Sequence, residues 1–244
     1  MCRVRLPLIL LLLLISCKHD GPTVVYEPMR MTDSIAADPL ADSMIAPYRD
    51  SLLLTMETVL VQNEQPLTRG IPESTLGNLI ADLLLERAQL EMPSKGKVDL
   101  CLINIGGLRV DLPEGNITTG KVFELMPFDN ELDILRLSPE RMREMFDYLN
   151  KAGGQPVSGM RLQIDEKRYT CTINGLPWHP DSTYYIVTSD YLADGGDRMD
   201  FFAEPLERIP TGIRIRDAII DHFRTLGLAG SSLSAQLDGR LTIE

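Results

Sequence analysis

The feature that most restricts the fold of this 244-residue chain is the irregular order of its apolar periods. Glu73 to Leu90 has helical spacing, with Leu76, Leu79, Ile80, Leu83 and Leu84 on one face. Ser74 and Thr75 offer hydroxyl caps at its start. Val98 to Ile105 is a short apolar run and reads as a buried strand, Gly106 to Gly120 is loop-like, and Leu132 to Leu137 alternates like a strand. Ser138-Pro139-Glu140 places Ser at an N-cap and Pro at the first helical position, so Pro139 to Ala152 is expected to be helical. Met160 to Ile164 and Tyr169 to Ile173 alternate as a hairpin. Tyr184 to Thr188 reads as a strand, Ile213 to Leu226 as a helix and Arg240 to Ile243 as a last short strand. Ala41 to Val59, with Met44, Leu52 and Met56, has helical spacing as well. Helices and strands mix without a regular βαβ rhythm. The expectation is an α+β fold, a single domain with a mixed β-sheet and packed helices, and not a doubly wound sheet.

The N-terminus carries its own signals. Met1 to Arg5 is short and basic, and Leu8 to Ile15 is continuously apolar but too short to span a bilayer. Leu14-Ile15-Ser16-Cys17 resembles a bacterial lipobox, in which the cysteine becomes the lipidated first residue; a plain signal peptide is the alternative. The expected organisation is a lipoprotein signal peptide over 1–16, a polar tether over 17–38 with Pro22 and Pro28, and a folded domain over 39–244. That implies an exported lipoprotein, periplasmic or anchored in an outer membrane. The net charge is already -11, and losing Arg3 and Arg5 makes it more acidic still. Such acidity argues against nucleic-acid binding and against a polybasic membrane contact. The anchor would be lipid at Cys17. With Cys2 removed and Cys17 modified, Cys101 and Cys171 remain, in apolar strand-like runs; one disulfide and two buried thiols are both open.

Much hydrolytic chemistry is missing. The histidines are His19, His179 and His222. His19 lies in the tether, His179 in the turn Leu176-Pro177-Trp178-His179-Pro180, and His222 in an amphipathic helix where a structural role is expected. A dinuclear metal site needs a set of His, Asp and Asn ligands on strand-end loops, and no Asp-x-His, Gly-Asn-His or His-x-His occurs. Neither does a Cys-x-x-Cys pair, a Gly-x-Ser-x-Gly elbow, a Walker loop or a dinucleotide fingerprint. The chain offers no catalytic constellation or cofactor site of its own.

What it does offer is a set of ligand-type segments. Ser189-Asp190-Tyr191-Leu192-Ala193-Asp194-Gly195-Gly196-Asp197 follows a strand and presents a ring and a carboxylate around a tight turn. Glu73 to Asp82, Asn104-Ile105-Gly106-Gly107-Leu108-Arg109, Pro127-Phe128-Asp129-Asn130 and Gly153 to Arg161 precede it. In this order the five segments resemble the C-terminal domain of the 5'-nucleotidase/UDP-sugar hydrolase family, from about Val59 to Glu244. The resemblance implies that Phe128 and Tyr191 sandwich a nucleobase and that Asn130 contacts it. It implies that Asp197 accepts from ribose hydroxyls and that Asn104 faces the substrate. Gly107 allows close backbone approach, and Arg109 offers a fork of donors to phosphate or ribose oxygens. Stacking on two rings is worth on the order of 1–3 kcal/mol per face, with little base selectivity. The Glu73 to Asp82 segment reads as structural.

The chain departs from the family pattern in several places. Asp129 stands where glycine is common, Arg198-Met199 replaces a glycine-aromatic pair, and Tyr191 stands where phenylalanine is usual. An arginine expected upstream of the Gly77 helix has only Arg69 nearby, offset. The family's N-terminal metallophosphoesterase domain, which holds the metals, has no counterpart in this sequence. Two readings follow. In one, the chain is the nucleotide- or nucleoside-recognition half of a nucleotidase-type hydrolase whose metals and hydrolysis come from a separate metallophosphoesterase chain. In the other, it is a lipid-anchored nucleoside-binding protein with no catalytic role.

Overall fold

A computed structural model of the chain describes residues 32, 35–92, 96–165 and 168–243. The expected signal peptide, Cys17 and most of the expected tether lie outside the described residues. The chain divides into compact units between Ala46 and Pro47. Asp38, in the first, accepts from the Leu40 N–H at 2.8 Å at the start of helix α1 (Pro39–Met56), which crosses this boundary.

The second unit continues through β1 (Val59–Asn63), α2 (Thr75–Leu90), β2 (Leu100–Leu102), β3 (Gly115–Thr118), α3 (Thr119–Leu125), β4 (Glu131–Leu137) and α4 (Pro139–Ala152). Then come β5 (Val157–Ser158), β6 (Met160–Asp165), β7 (Arg168–Ile173), β8 (Leu176–Pro177), β9 (Tyr184–Ser189) and α5 (Asp190–Ala193). The chain ends with β10 (Glu207–Arg214), α6 (Ile215–Leu228), β11 (Ser232–Leu233) and β12 (Leu241–Ile243). Among the described residues the strands form three sheets, of order β11-β1-β3, β10-β4-β9-β2-β5 and β12-β6-β7-β8. The fold is α+β.

The five-stranded sheet is the centre. It is mixed: β9 runs antiparallel to β4 and parallel to β2. Both its faces are covered, which is why β2 and β9 read as apolar runs. Cys101, Ile134 and Val187 point to one core with Leu76, Ile80, Leu84, Ile219 and Phe223 of α2 and α6. Leu100, Leu135 and Ile186 point to the other, with Met142, Phe146 and Leu149 of α4 and Leu162 of β6. Each of these fully buried side chains contributes about 1.5–3 kcal/mol.

Helix α4 matches its expected bounds. Ser138 accepts from the Arg141 N–H, Pro139 opens the first turn, and Gly153 closes the end in a left-handed conformation. Helix α2 is capped by Ser74, whose hydroxyl accepts from Gly77 N–H at 3.1 Å. Four differences from expectation have physical reasons. The first helix stops at Met56 because Val59 begins β1, held between β11 and β3. The stretch Gly106 to Gly120 contains β3, of which only Ile117 is buried, so no apolar period marks it. The short helix α3 follows directly, capped by Thr118. Strand β10 was not expected at all. It is an edge strand that buries no residue fully and contains Pro210, which suits an edge.

Cys101 and Cys171 are both buried free thiols, in different cores, so the disulfide alternative does not hold. Burial raises both thiol pKa values, that of Cys171 to about 12. A thiol reagent at pH 8 should therefore leave both unmodified in the folded chain and reach both in denaturant. Modification of Cys101 under native conditions, read by peptide mass, would contradict this packing. A second prediction concerns Gly227 of α6. A Cβ there would lie 1.9 Å from the Leu60 carbonyl oxygen of β1. Gly227→Ala should thus lower stability by about 1–3 kcal/mol, although alanine is the better helix former; an unchanged denaturant midpoint would show that α6 does not press on β1.

Candidate functional site

The register of three neighbouring strands builds the site. Leu132 near the start of β4 faces Ser189 at the end of β9. Cys101 of β2 runs alongside Val187 of β9 in parallel. The segment entering β4 and the segments leaving β9 and β2 therefore emerge at one edge of the sheet. They carry Phe128 and Asn130, Tyr191 to Asp197, and Asn104 to Arg109. The segment entering β5 reaches the same edge, because β5 is antiparallel to β2. There Gln155 accepts from the Ile105 N–H at 2.8 Å and holds the glycine turn Ile105–Gly107.

A cleft of about 350 Å3 lies at this edge, within the size range of small-molecule sites. It is lined by Asn104, Gly106, Gly107, Arg109, Phe128, Asn130, Tyr191 and Asp197. Every substrate-binding candidate read from the sequence lines this cleft. Phe128 and Tyr191 are both exposed, 41% and 46%, so each ring presents a face to the cleft or to solvent. A wider hollow of about 750 Å3 shares Asp197 and is lined by charged Glu144, Asp147, Lys151 and Arg198 and by Tyr148 and Phe201, two rings that pack on each other with centroids 5.4 Å apart. The smaller cleft is the better-formed site.

Each jaw has its own support. Ser189 caps α5 by accepting from Leu192 N–H at 3.1 Å, and Leu192 and Ala193 are buried, so Tyr191 projects from an anchored turn. Gly196 lies directly against the Tyr191 ring, where an added Cβ would come within 2.5 Å of ring carbons. The Tyr191 hydroxyl donates to Asp197 Oδ1 at 2.9 Å and accepts from the Asp197 N–H at 3.2 Å. Asn104 Nδ2 donates to Asp197 Oδ2 at 2.6 Å. Tyr148 of α4 donates its hydroxyl to the Asp197 carbonyl at 3.1 Å; burial, and then the Asp197 charge, raise its pKa. Arg109 donates to the Gly106 carbonyl at 3.2 Å, with its guanidinium 5.9 Å from the Phe128 ring centroid.

The Phe128 jaw rests on a residue the sequence did not reveal. Arg216, at the start of α6 and 7% exposed, donates to the carbonyls of Phe128 (3.2 Å) and Met126 (3.4 Å) and pairs with Asp129. Its guanidinium also lies 4.3 Å from the centroid of Phe123. Asp129, the departure from the glycine pattern, thus has a partner, and the arginine holds its carboxyl below the usual range. Arg69 does not line the cleft. It donates to the carbonyls of Leu108 and Arg109 at 3.1 and 2.9 Å and pairs with Asp111, bracing the Arg109 loop from behind. Met199 is fully buried in the second core, in the place of the expected aromatic, while Arg198 takes a left-handed φ of 62°. Glu73 accepts from Asn78 and from the Asp238 and Gly239 N–H groups, so that segment ties down the C-terminal tail. His179 is exposed and His222 half-buried, and neither is at the cleft. No group of three or more His, Cys, Asp or Glu among the described residues is placed to hold a metal ion.

A strand-end cleft lined by two exposed rings and a carboxylate combines stacking surface with a hydrogen-bond acceptor. The comparisons with known proteins specify the class. The family model described as 5'-nucleotidase, C-terminal domain, matches residues 55–204, and the chain belongs to that family. It is 26% identical over 187 residues to the trifunctional nucleotide phosphoesterase protein YfkN of Bacillus subtilis, covering 69% of this chain and 12% of that one. It is 25% identical over 215 residues to the 5'-nucleotidase of Diplobatis ommata, covering 76% of this chain and 37% of that one. Among solved structures, the 5'-nucleotidase precursor from Thermus thermophilus superposes with a TM-score of 0.70 at 26% identity, over 84% of this chain and 43% of that chain. The chain spans less than half the length of each of these relatives.

The Arg216 brace is testable without any ligand. Arg216→Met leaves two carbonyls and a carboxylate without their donor, a loss of roughly 1–3 kcal/mol. Chymotrypsin should cut after Phe128 several-fold faster in that variant than in the parent chain, and less so in Asp129→Asn, which keeps the carbonyl contacts. Equal cleavage in all three would show that Arg216 does not hold the jaw.

Proposed function

We propose that this domain binds a nucleotide or nucleoside, with the base between Phe128 and Tyr191, the ribose hydroxyls on Asp197, and Asn130 at the base edge. The observation that carries the reading is the convergence of two exposed rings and a carboxylate on one cleft. Stacking on the two rings supplies about 1–3 kcal/mol per face and little base preference. Asp197 is acceptor-only and suited to a diol. Arg109 at the rim is a donor for phosphate or ribose oxygens. The names of the relatives, nucleotide phosphoesterase and 5'-nucleotidase, support a nucleotide ligand.

In this reading the chain recognises substrate, and phosphate-ester hydrolysis is supplied by a metallophosphoesterase on a separate chain, which would hold the divalent metals. Lipidation at Cys17 would keep the domain at a membrane surface in an exported compartment. A binding protein with no catalytic role is the second reading, favoured by the completeness of the clamp within one chain.

Calorimetry with adenosine, AMP and uridine should show binding that Phe128→Ala and Tyr191→Ala each weaken by about fivefold to a hundredfold, as expected for loss of about 1–3 kcal/mol of stacking. Binding unchanged by both substitutions would overturn the clamp. Hydrolysis of AMP or UDP-glucose that appears only when the chain is mixed with a metallophosphoesterase chain would support the split enzyme. A partner equally active alone would sink it and leave the binding reading.

A further inference from the structure

The Tyr191 hydroxyl has a role separate from that of its ring. It donates to Asp197 Oδ1 and accepts from the backbone N–H of the same residue, so the segment Tyr191 to Asp197 closes on itself through one oxygen atom. The segment needs holding. Asp197 and Arg198 sit at φ 52° and 62°, left-handed conformations that non-glycine residues adopt at a cost. Gly196 permits the closure, since any side chain there would collide with the Tyr191 ring. The second carboxylate oxygen is fixed independently by Asn104, from the loop after β2.

The hydrogen-bond count then restricts the ligand. An ionised carboxylate has about four acceptor positions over its two oxygens. Tyr191 occupies one on Oδ1 and Asn104 one on Oδ2, which leaves each oxygen able to accept again. We infer that the Tyr191 hydroxyl is a positioning group, a latch that holds Asp197 in the left-handed turn with one acceptor spare on each oxygen, matched to the vicinal diol of a ribonucleoside. Phenylalanine at this position would keep the stacking face and lose the latch. The inference rests on the nucleoside reading for its ligand, whereas the latch itself belongs to the free protein.

Two measurements on the full chain and its Tyr191→Phe variant separate these parts. The substitution removes a single oxygen from an exposed ring, and a cooperative thermal transition with a midpoint within about 5 °C of the parent's will establish that the fold is kept. In the first, amide exchange of Asp197 is followed by NMR without ligand. The latch requires exchange on the order of tenfold faster in Tyr191→Phe, the equivalent of one lost hydrogen bond. Equal rates overturn it. In the second, adenosine and adenine are titrated calorimetrically. Adenosine should weaken on the order of fivefold to tenfold in Tyr191→Phe. Adenine, which has no diol, should bind both proteins alike. Unchanged adenosine affinity, or a parallel loss for adenine, overturns the positioning role. If the parent chain binds neither compound, the nucleoside reading and its diol fall together, and the exchange rates still decide the latch.

Discussion

The pairing of β9 with its two neighbours is the constraint on which the rest depends. It is antiparallel to one and parallel to the other, and both faces are buried, so a shift of register would turn Ile186 and Val187 out of their respective cores. That register also decides which loops meet. The start of β4 and the ends of β9 and β2 share an edge, and the cleft residues lie in the segments that begin or end there. The site is therefore as fixed as the sheet.

Loops at the end of a sheet still need individual support, and arginines supply much of it. Arg216 holds the Phe128 loop through two carbonyls and Asp129. Arg69 holds the Arg109 loop through two carbonyls and Asp111. Arg208, on the edge strand β10, bridges Asp133 of β4 and Asp194, just before the Gly-Gly turn. Burial raises the Asp133 pKa and the arginine opposes it, so the guanidinium helps that carboxylate stay ionised inside the sheet. In an acidic chain these cations hold loop geometry, and among the described residues Arg109 is the one that lines the cleft.

How much could be read in advance depended on where the signal lay. Helix α4 was legible to the residue because its cap, its Pro139 and its apolar face are local. Strands β2 and β9 were legible because burial on both faces leaves continuous apolar runs, and β4 because its residues alternate. Strand β10 was not, since an edge strand with a proline and exposed alternate residues has no pattern distinct from a loop. Strand β1 was hidden for another reason: Val59 continues the apolar spacing of α1, and only pairing with β3 and β11 makes it a strand. The cleft residues were found by their order along the chain. Arg216 and Tyr148 were not, because neither stands in a segment whose residue types suggest a ligand.

By itself, then, the sequence determined the α+β class, the main helices and central strands, the family resemblance, and which residues were candidates for one site. These follow from local spacing, capping and motif order, which are properties of neighbouring residues. Tertiary structure alone decided that Phe128 and Tyr191 line one cleft, that Asp129 is answered by Arg216, that Cys101 and Cys171 lie in separate cores, and that the Tyr191 hydroxyl closes on Asp197. Each of these is a contact whose partners are set by sheet register and helix packing, and no linear pattern records which distant residues will share an edge.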